Sequence, residues 1–298
     1  MHLGLHIVRF DWPGTPENTA QVLADIGRTA DDAGMTHLSV MDHYFQIGMT
    51  GPPEDPMLEG YLAALHLAHA TTNAKVGVLA TGSQYRYPGL LIKIVTTLDV
   101  LSGGRALCIL GAGWNEEESV GLGVPMPAMS ERFDRLEDTL RLARQMFADD
   151  EAPFHGVTVN AERPINRPQP LSRPRPEIMV GGGGEKRTLR LVAQYADACN
   201  VFFASPGTVE DHAAAVAHKL DVLRRHCEDV GRDYDEIRRT AACTLPLAAG
   251  MTSEEVLHMC RAAADVGVQD LICMVDEPHD LRHLEMLGRD VIPVIADW

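Results

Sequence analysis

Glu177-Ile178-Met179-Val180-Gly181-Gly182-Gly183-Gly184-Glu185-Lys186-Arg187-Thr188 reads as a short buried strand, Ile178 to Val180, then four glycines, then a helix from about Lys186 to Tyr195. A strand that ends in glycines and feeds a helix makes an anion site. The missing Cβ atoms let a ligand approach the backbone, and the free N–H groups of the first helical turn point at it. Lys186 and Arg187 add local positive charge. The competing reading is a flexible turn without a ligand, but four consecutive glycines give up much chain entropy on ordering. The stretch is not G-x-x-x-x-G-K-[ST], and it does not open the chain as a dinucleotide fingerprint does. It predicts a phosphate site and leaves the owner of the phosphate open.

Outward from this stretch, strand-like apolar runs alternate with amphipathic helical stretches along the whole chain. The pattern predicts strands at Leu3–Ile7, His37–Met41, Lys75–Ala80, Ala106–Leu110, Ile178–Val180, Ala198–Phe202, Arg239–Leu247 and Asp270–Val275. Helices are expected at about Thr19–Ala33, Met57–Ala70, Gly89–Leu101, Ser130–Phe147, Lys186–Tyr195, Val209–Val230, Ser253–Ala264 and Leu281–Val294. A capping box at Ser130-Glu131-Arg132-Phe133 fits only if that helix boundary shifts. About eight β-α units in 298 residues match a (β/α)₈ TIM barrel, read as one domain over 1–298. Strict alternation implies a parallel sheet covered by helices. The runner-up, a doubly wound open sheet, usually has fewer strands and an early glycine fingerprint. One inserted loop segment, about 149–175, breaks the alternation with six prolines between Pro153 and Pro176 and with Arg163, Arg167, Arg173 and Arg175. A loop of that length is a lid or binding loop, or else an inert surface excursion.

Composition narrows the class. The formal charge of −16, from 26 basic and 42 acidic residues, disfavours nucleic acid and anionic membrane surfaces as partners. No apolar run is long enough to span a bilayer, and Met1 to Ile7 reads as a first strand, not a signal peptide. The six cysteines form no C-x-x-C pair and several lie inside apolar runs, so they read as buried thiols of a cytoplasmic protein. His66 and His69 stand three apart on a helix, but no third ligand is nearby, and no metal site is expected.

In a barrel the active groups stand at the C-terminal ends of the strands. That rule selects His6, Asp42-His43, Ala80 to Ser83, Gly111 to Asn115, the four glycines, Phe202-Phe203 and Met274 to Asp276. The set is rich in glycine and poor in acid/base groups. His43 is the one evident proton-transfer group beside an acid, Asp42, which either biases its tautomer or ties down the loop. Few chemical groups around a phosphate cradle indicate a site whose hard chemistry is carried by a cofactor.

Several stretches resemble one family in order and spacing. They are Ser39-Val40-Met41-Asp42-His43; Tyr85 to Pro88 with Leu98 to Arg105; Leu110-Gly111-Ala112-Gly113-Trp114-Asn115 with Glu116 to Glu118; Glu131 to Leu136; and Gly183 to Asp197. The chain resembles the luciferase-like monooxygenase superfamily of flavin and deazaflavin oxidoreductases, most closely its actinobacterial branch that uses coenzyme F420. The resemblance covers nearly the whole chain and implies a TIM barrel. It also implies that Asp42 and His43 lie at the cofactor ring, with His43 as the catalytic proton carrier. A bulge at Leu79-Ala80 supports the ring, often with a non-prolyl cis peptide, and Gly82 lies near it. Ala112, Gly113 and Asn115 contact the cofactor, and Gly182, Gly183 and Gly184 hold its phosphate. The sugar-phosphate dehydrogenases of the family carry a glutamate where this chain has Trp114, so that substrate is not carried over. The resemblance implies an F420-dependent oxidoreductase acting on a small organic substrate and assembled as a homodimer. The alternatives are an FMN-dependent monooxygenase using reduced flavin and oxygen, and a cofactor-binding protein without turnover.

Overall fold

A computed structural model describes residues 1–204 and 206–298. Its strands are the apolar runs: β1 (His2–Ile7), β2 (His37–Val40), β3 (Lys75–Val78), β4 (Thr81–Gly82), β5 (Leu107–Gly111), β8 (Glu177–Gly181), β9 (Ala198–Phe202), β10 (Arg238–Leu245) and β11 (Asp270–Val275). β6 (Phe154–His155) and β7 (Asn160–Ala161) form a separate antiparallel hairpin. The large sheet runs β3-β2-β1-β11-β10-β9-β8-β5-β4, with every pairing parallel. A parallel bridge between Val76 and Ala106 brings β3 back to β5. Because β4 resumes β3 after a two-residue interruption, the sheet closes as a barrel of eight staves.

Parallel strands are buried on both faces, which is why the runs read as continuous apolar sequence. Alternation still divides the two sides. Leu107 and Ile109 point into the barrel with Leu79, Met179, Ala198 and Ile272, whereas Cys108 and Leu110 join the larger core beneath the helices. That outer layer is α1 (Thr19–Asp32), α2 (Gly60–Ala70), α3 (Pro88–Leu101), α4 (Glu116–Gly121), α5 (Met129–Phe147), α6 (Thr188–Tyr195), α7 (Val209–Val230), α8 (Ser253–Asp265), α9 (Arg282–Met286) and α10 (Ile292–Ile295). Reciprocal capping boxes, Thr208 with Asp211 and Thr252 with Glu255, start α7 and α8.

Four expectations need correction. The third strand stops at Val78, and Leu79-Ala80 forms a bulge with a cis peptide before Thr81. The expected last helix is broken by a π turn at Leu287–Val291, where Gly288 packs against Ala33. α5 begins at Met129 without a side-chain cap, so the Ser130 box does not form. The helix after the glycines begins at Thr188, with Arg187 at its N-cap and the Arg187 guanidinium bonded to Asp134 and the Ser130 carbonyl on α5.

The inserted segment is not a lid. It connects the end of α5 to the start of β8, so it lies at the N-terminal face of the barrel, opposite the glycines. Asp99 accepts from the Leu171 and Ser172 N–H groups at 2.6 and 2.9 Å, and Asp138 accepts from the N–H groups of Val157, Thr158 and Val159. Three of its arginines are neutralised locally, Arg163 and Arg167 by Glu151 and Arg175 by Asp197, while Arg173 donates to the Pro170 and Ser172 carbonyls. No helix among the described residues is long and apolar enough to cross a membrane, and all six cysteines are free and buried. His66 bonds to the Ala20 carbonyl at 2.7 Å.

Candidate active site

The C-terminal mouth of the barrel gathers the selected residues. At its centre is the Ala80 methyl. A Cβ on Gly181 would fall 3.0 Å from it and one on Gly111 3.3 Å, so the glycines ending β8 and β5 leave room for the bulge. Leu79 is buried beside it, and Gly82 follows in β4.

Asp42 and His43 diverge. The Asp42 carboxylate accepts from the Gly82 N–H at 2.9 Å and from Arg86 Nη1 at 2.9 Å on each oxygen. Arg86 also bonds to Glu59. Burial pushes the Asp42 carboxyl up against the opposing pull of Arg86 and the Gly82 N–H. Burial also works against the Arg86 charge, but Asp42 and its acidic neighbours outweigh it, and the guanidinium stays charged. Asp42 therefore ties the β2 end to β4 and does not touch His43.

The partner of His43 is Glu118, a residue not assigned from the sequence. His43 Nδ1 lies 3.0 Å from Glu118 Oε1, to which the Tyr85 hydroxyl also donates. The other oxygen accepts from the Tyr44 and Phe45 N–H groups at 2.6 and 3.0 Å. The Glu118 side chain is wholly buried. Burial works to raise its carboxyl, but the bonds from His43, Tyr85 and Phe45 outweigh it and hold the group below its ordinary value. With four donors converging, Glu118 acts as acceptor throughout, so His43 Nδ1 carries the proton and donates. Nε2 is then the ring nitrogen left for exchange, and it has no protein partner among the described residues. Trp114 packs edge-on against the imidazole with ring centroids 5.3 Å apart and is 59% exposed.

Helix α4 delivers Glu118. Asn115 caps it, its side-chain oxygen accepting from the Glu118 N–H at 3.4 Å. Asn115 thus serves the helix as its cap. Gly113, at φ +71°, accepts from Arg132 Nη1, and Ala112 packs on the core. The signal for Glu118 lay in the acidic run Glu116-Glu117-Glu118, which reads equally as an acidic first helical turn.

The glycine run stands between β8 and α6. Gly182 adopts φ +117° and donates to the Asn200 carbonyl at 2.8 Å, a conformation open to glycine. A Cβ on Gly183 would meet only the aliphatic carbons of Lys219, at 3.7 Å, whereas one on Gly184 would crowd Thr188 Oγ1 at 2.7 Å. Lys219 is committed to Glu185 at 2.6 Å. Lys186, beside the glycines, pairs with no group among the described residues and is available as a counter-charge. His6, also at the mouth, bonds to Ser39 Oγ at 3.0 Å, and burial holds its imidazole down at about 4.

The profile of the luciferase-like monooxygenase family matches residues 1–285. An F420-dependent glucose-6-phosphate dehydrogenase of Kineococcus radiotolerans is 28% identical over 224 residues, 73% of this chain and 61% of the relative. The chain therefore spans less than two thirds of that protein's length. An F420-dependent secondary alcohol dehydrogenase, solved with an F420-acetone adduct, superposes with a TM-score of 0.80 at 14% identity, covering 99% of this chain and 98% of the other. The FMN-bound oxygenating constituent of 3,6-diketocamphane monooxygenase from Pseudomonas putida gives 0.75 at 16% identity, covering 98% of each. At these identities the structural likeness establishes the shared barrel.

Proposed function

Because the chain belongs to the luciferase-like monooxygenase family, we propose that it is an F420-dependent oxidoreductase acting on a small organic substrate. The observation that carries this reading is a histidine with one nitrogen locked by a buried carboxylate, at the same barrel mouth as an open glycine cradle. The residues fit the cofactor. Gly182, Gly183 and Gly184 with Lys186 would hold its phosphate, and Leu79, Ala80, Gly82, Ala112 and Gly113 would line the ring. When bound, the deazaflavin supplies two-electron hydride chemistry. The chain's own part is to place the substrate, screen the site with Trp114 and move a proton at His43 Nε2. Glu118 holds the ring so that this nitrogen faces exchange.

The substrate of the glucose-6-phosphate relative is not carried over. Near His43 and Gly113, Arg86 is paired with Asp42 and Glu59, while Arg132 and Arg135 are anchored on the Gly113 and Ser83 carbonyls. The exposed rings of Trp114 and Phe202 favour a substrate with an apolar part and no phosphate. The likeness to an FMN monooxygenase keeps that cofactor as the second reading. Parallel titration of the purified protein with F420 and FMN separates the two. Low-micromolar F420 binding with clearly weaker FMN binding is expected, and tightly copurifying FMN without F420 binding would overturn the proposal.

A homodimer belongs to the same reading. The α2 helix carries no Asp, Glu, Lys or Arg, α3 has only Lys93 and Asp99, and Leu62, Tyr87 and Leu90 stand exposed on or beside them. Helices apolar all round are covered on both sides. Light scattering returning the mass of one chain would contradict it. Six free thiols buried in the fold support a cytoplasmic location.

A further inference from the structure

Gln84 is 7% exposed, yet neither its carbonyl oxygen nor its amide nitrogen has a hydrogen-bond partner in the protein. Buried amides are almost always paired, because stripping water from both groups without replacement is unfavourable. The backbone that carries the side chain is held in place. Its turn is pinned by the Ser83 N–H on the Gly111 carbonyl at 3.0 Å, the Tyr85 N–H on the Gly82 carbonyl at 3.2 Å, and Arg135 Nε on the Ser83 carbonyl at 2.7 Å. The amide lies in a slot between two glycines. A Cβ on Gly113 would fall 1.8 Å from Gln84 Oε1, and one on Gly82 2.9 Å from it. Arg132 Nε is likewise buried and unpartnered, although its Nη1 is anchored on the Gly113 carbonyl. One acceptor and two kinds of donor thus converge on Gly113, at the mouth that holds His43 and the glycine cradle.

We propose that Gln84 reads the polar edge of the bound ring, its carboxamide pairing through two adjacent hydrogen bonds with an imide. Gln84 Oε1 accepts from the imide N–H while Nε2 donates to a neighbouring carbonyl, a match that a carboxamide makes and a carboxylate or a leucine does not. Flavins and 5-deazaflavins share this pyrimidinedione edge, so Gln84 selects the ring class and not one cofactor. This inference rests on the cofactor reading above and assigns it a residue.

The test compares a 5-deazariboflavin with its N3-methyl derivative on the wild-type protein and on Gln84→Leu, together with the thermal stability of each protein without ligand. In the wild type the methyl group should weaken binding at least tenfold. In Gln84→Leu the parent compound should bind at least tenfold more weakly and the methyl penalty should vanish. The ligand-free variant should melt at or above the wild-type temperature, because an unpaired buried amide has been removed. A wild type indifferent to the methyl group overturns the proposal whatever the variant does. So does a Gln84→Leu protein that melts several degrees lower while its affinity stays within twofold, since the amide then serves the fold. If the wild type binds neither F420 nor any deazaflavin or flavin, the cofactor reading itself falls.

Discussion

Glu118→Gln removes one charge and no atoms of consequence, and the structure dictates how the site must respond. Glu118 Oε2 faces two backbone N–H groups, Tyr44 and Phe45, which cannot turn away. The glutamine carbonyl must take their place as acceptor, and its NH₂ must then face His43 Nδ1 and the Tyr85 hydroxyl. The hydroxyl can rotate to accept. The imidazole can accept only if its proton moves to Nε2. The substitution should therefore reverse the His43 tautomer and block the nitrogen assigned to exchange. Four charge-assisted bonds become neutral ones, a loss of roughly 2–4 kcal/mol in stability, or several degrees in Tm. Turnover should fall by roughly 10² to 10⁴, the usual share of general acid–base catalysis, with the upper end matching the loss when a catalytic histidine is held in the wrong tautomer, and cofactor affinity should be nearly unchanged. Nitrogen-detected NMR of the histidine rings reads the tautomer directly, beside melting curves and single-turnover rates. If His43 keeps its Nδ1 proton in the variant and turnover holds, the dyad is not what presents His43.

His43→Ala should keep cofactor affinity within about tenfold, roughly 1.4 kcal/mol, and lower turnover by about 10² or more; lost binding with turnover per complex preserved would make His43 a binding residue. Gly183→Val should weaken cofactor binding without unfolding the barrel, since its Cβ meets only Lys219 carbons at 3.7 Å, and unchanged affinity in a folded variant would remove the cradle from the phosphate site. Asp42→Ala leaves the Arg86 charge buried beside Glu59 and should destabilise by about 3–5 kcal/mol in denaturant titrations, while a change under about 1 kcal/mol would show the tie between β2 and β4 to be dispensable. Burial holds the His6 and His37 imidazoles down at about 4 against an ordinary 6.5, so both are neutral in the fold where the unfolded chain would be protonated. Their contribution is complete above pH 6.5 and is lost as pH falls toward 4, by about 3 kcal/mol for each histidine, and a urea midpoint that stays flat from pH 7 to pH 5 would contradict this.

The barrel was legible because its signals are local. Ala198–Phe202, Val209–Val230 and Asp270–Val275 form the elements expected of them, each an apolar run or an amphipathic stretch, and the long helix closes with Gly231 in the left-handed region. Of the readings open for 149–175, a lid or binding loop or else a surface excursion, the lid is excluded by connectivity that was already visible. A segment that follows a helix and precedes a strand joins the N-terminal face of a barrel, whereas the mouth is built from segments that follow strands.

Of the two roles open to Asp42, the structure shows the tie to the loop and no contact with His43. Adjacent side chains on an extended backbone leave in opposite directions, so neighbours in sequence at a strand end are poor candidates for contact. Asp42 accordingly reaches sideways to Gly82 and Arg86, and His43 faces a residue 75 positions away. Glu118 could not be singled out locally, since its two neighbours carry the same charge and only the fold turns one of the three inward. What does single it out is demand. Two backbone N–H groups after β2 need an acceptor, and α4 is capped by Asn115 at the register that aims Glu118 at them. The carboxylate that completes the β2 loop thereby also orients the imidazole beside it, so an account of the proton chemistry begins with the unsatisfied backbone of Tyr44 and Phe45.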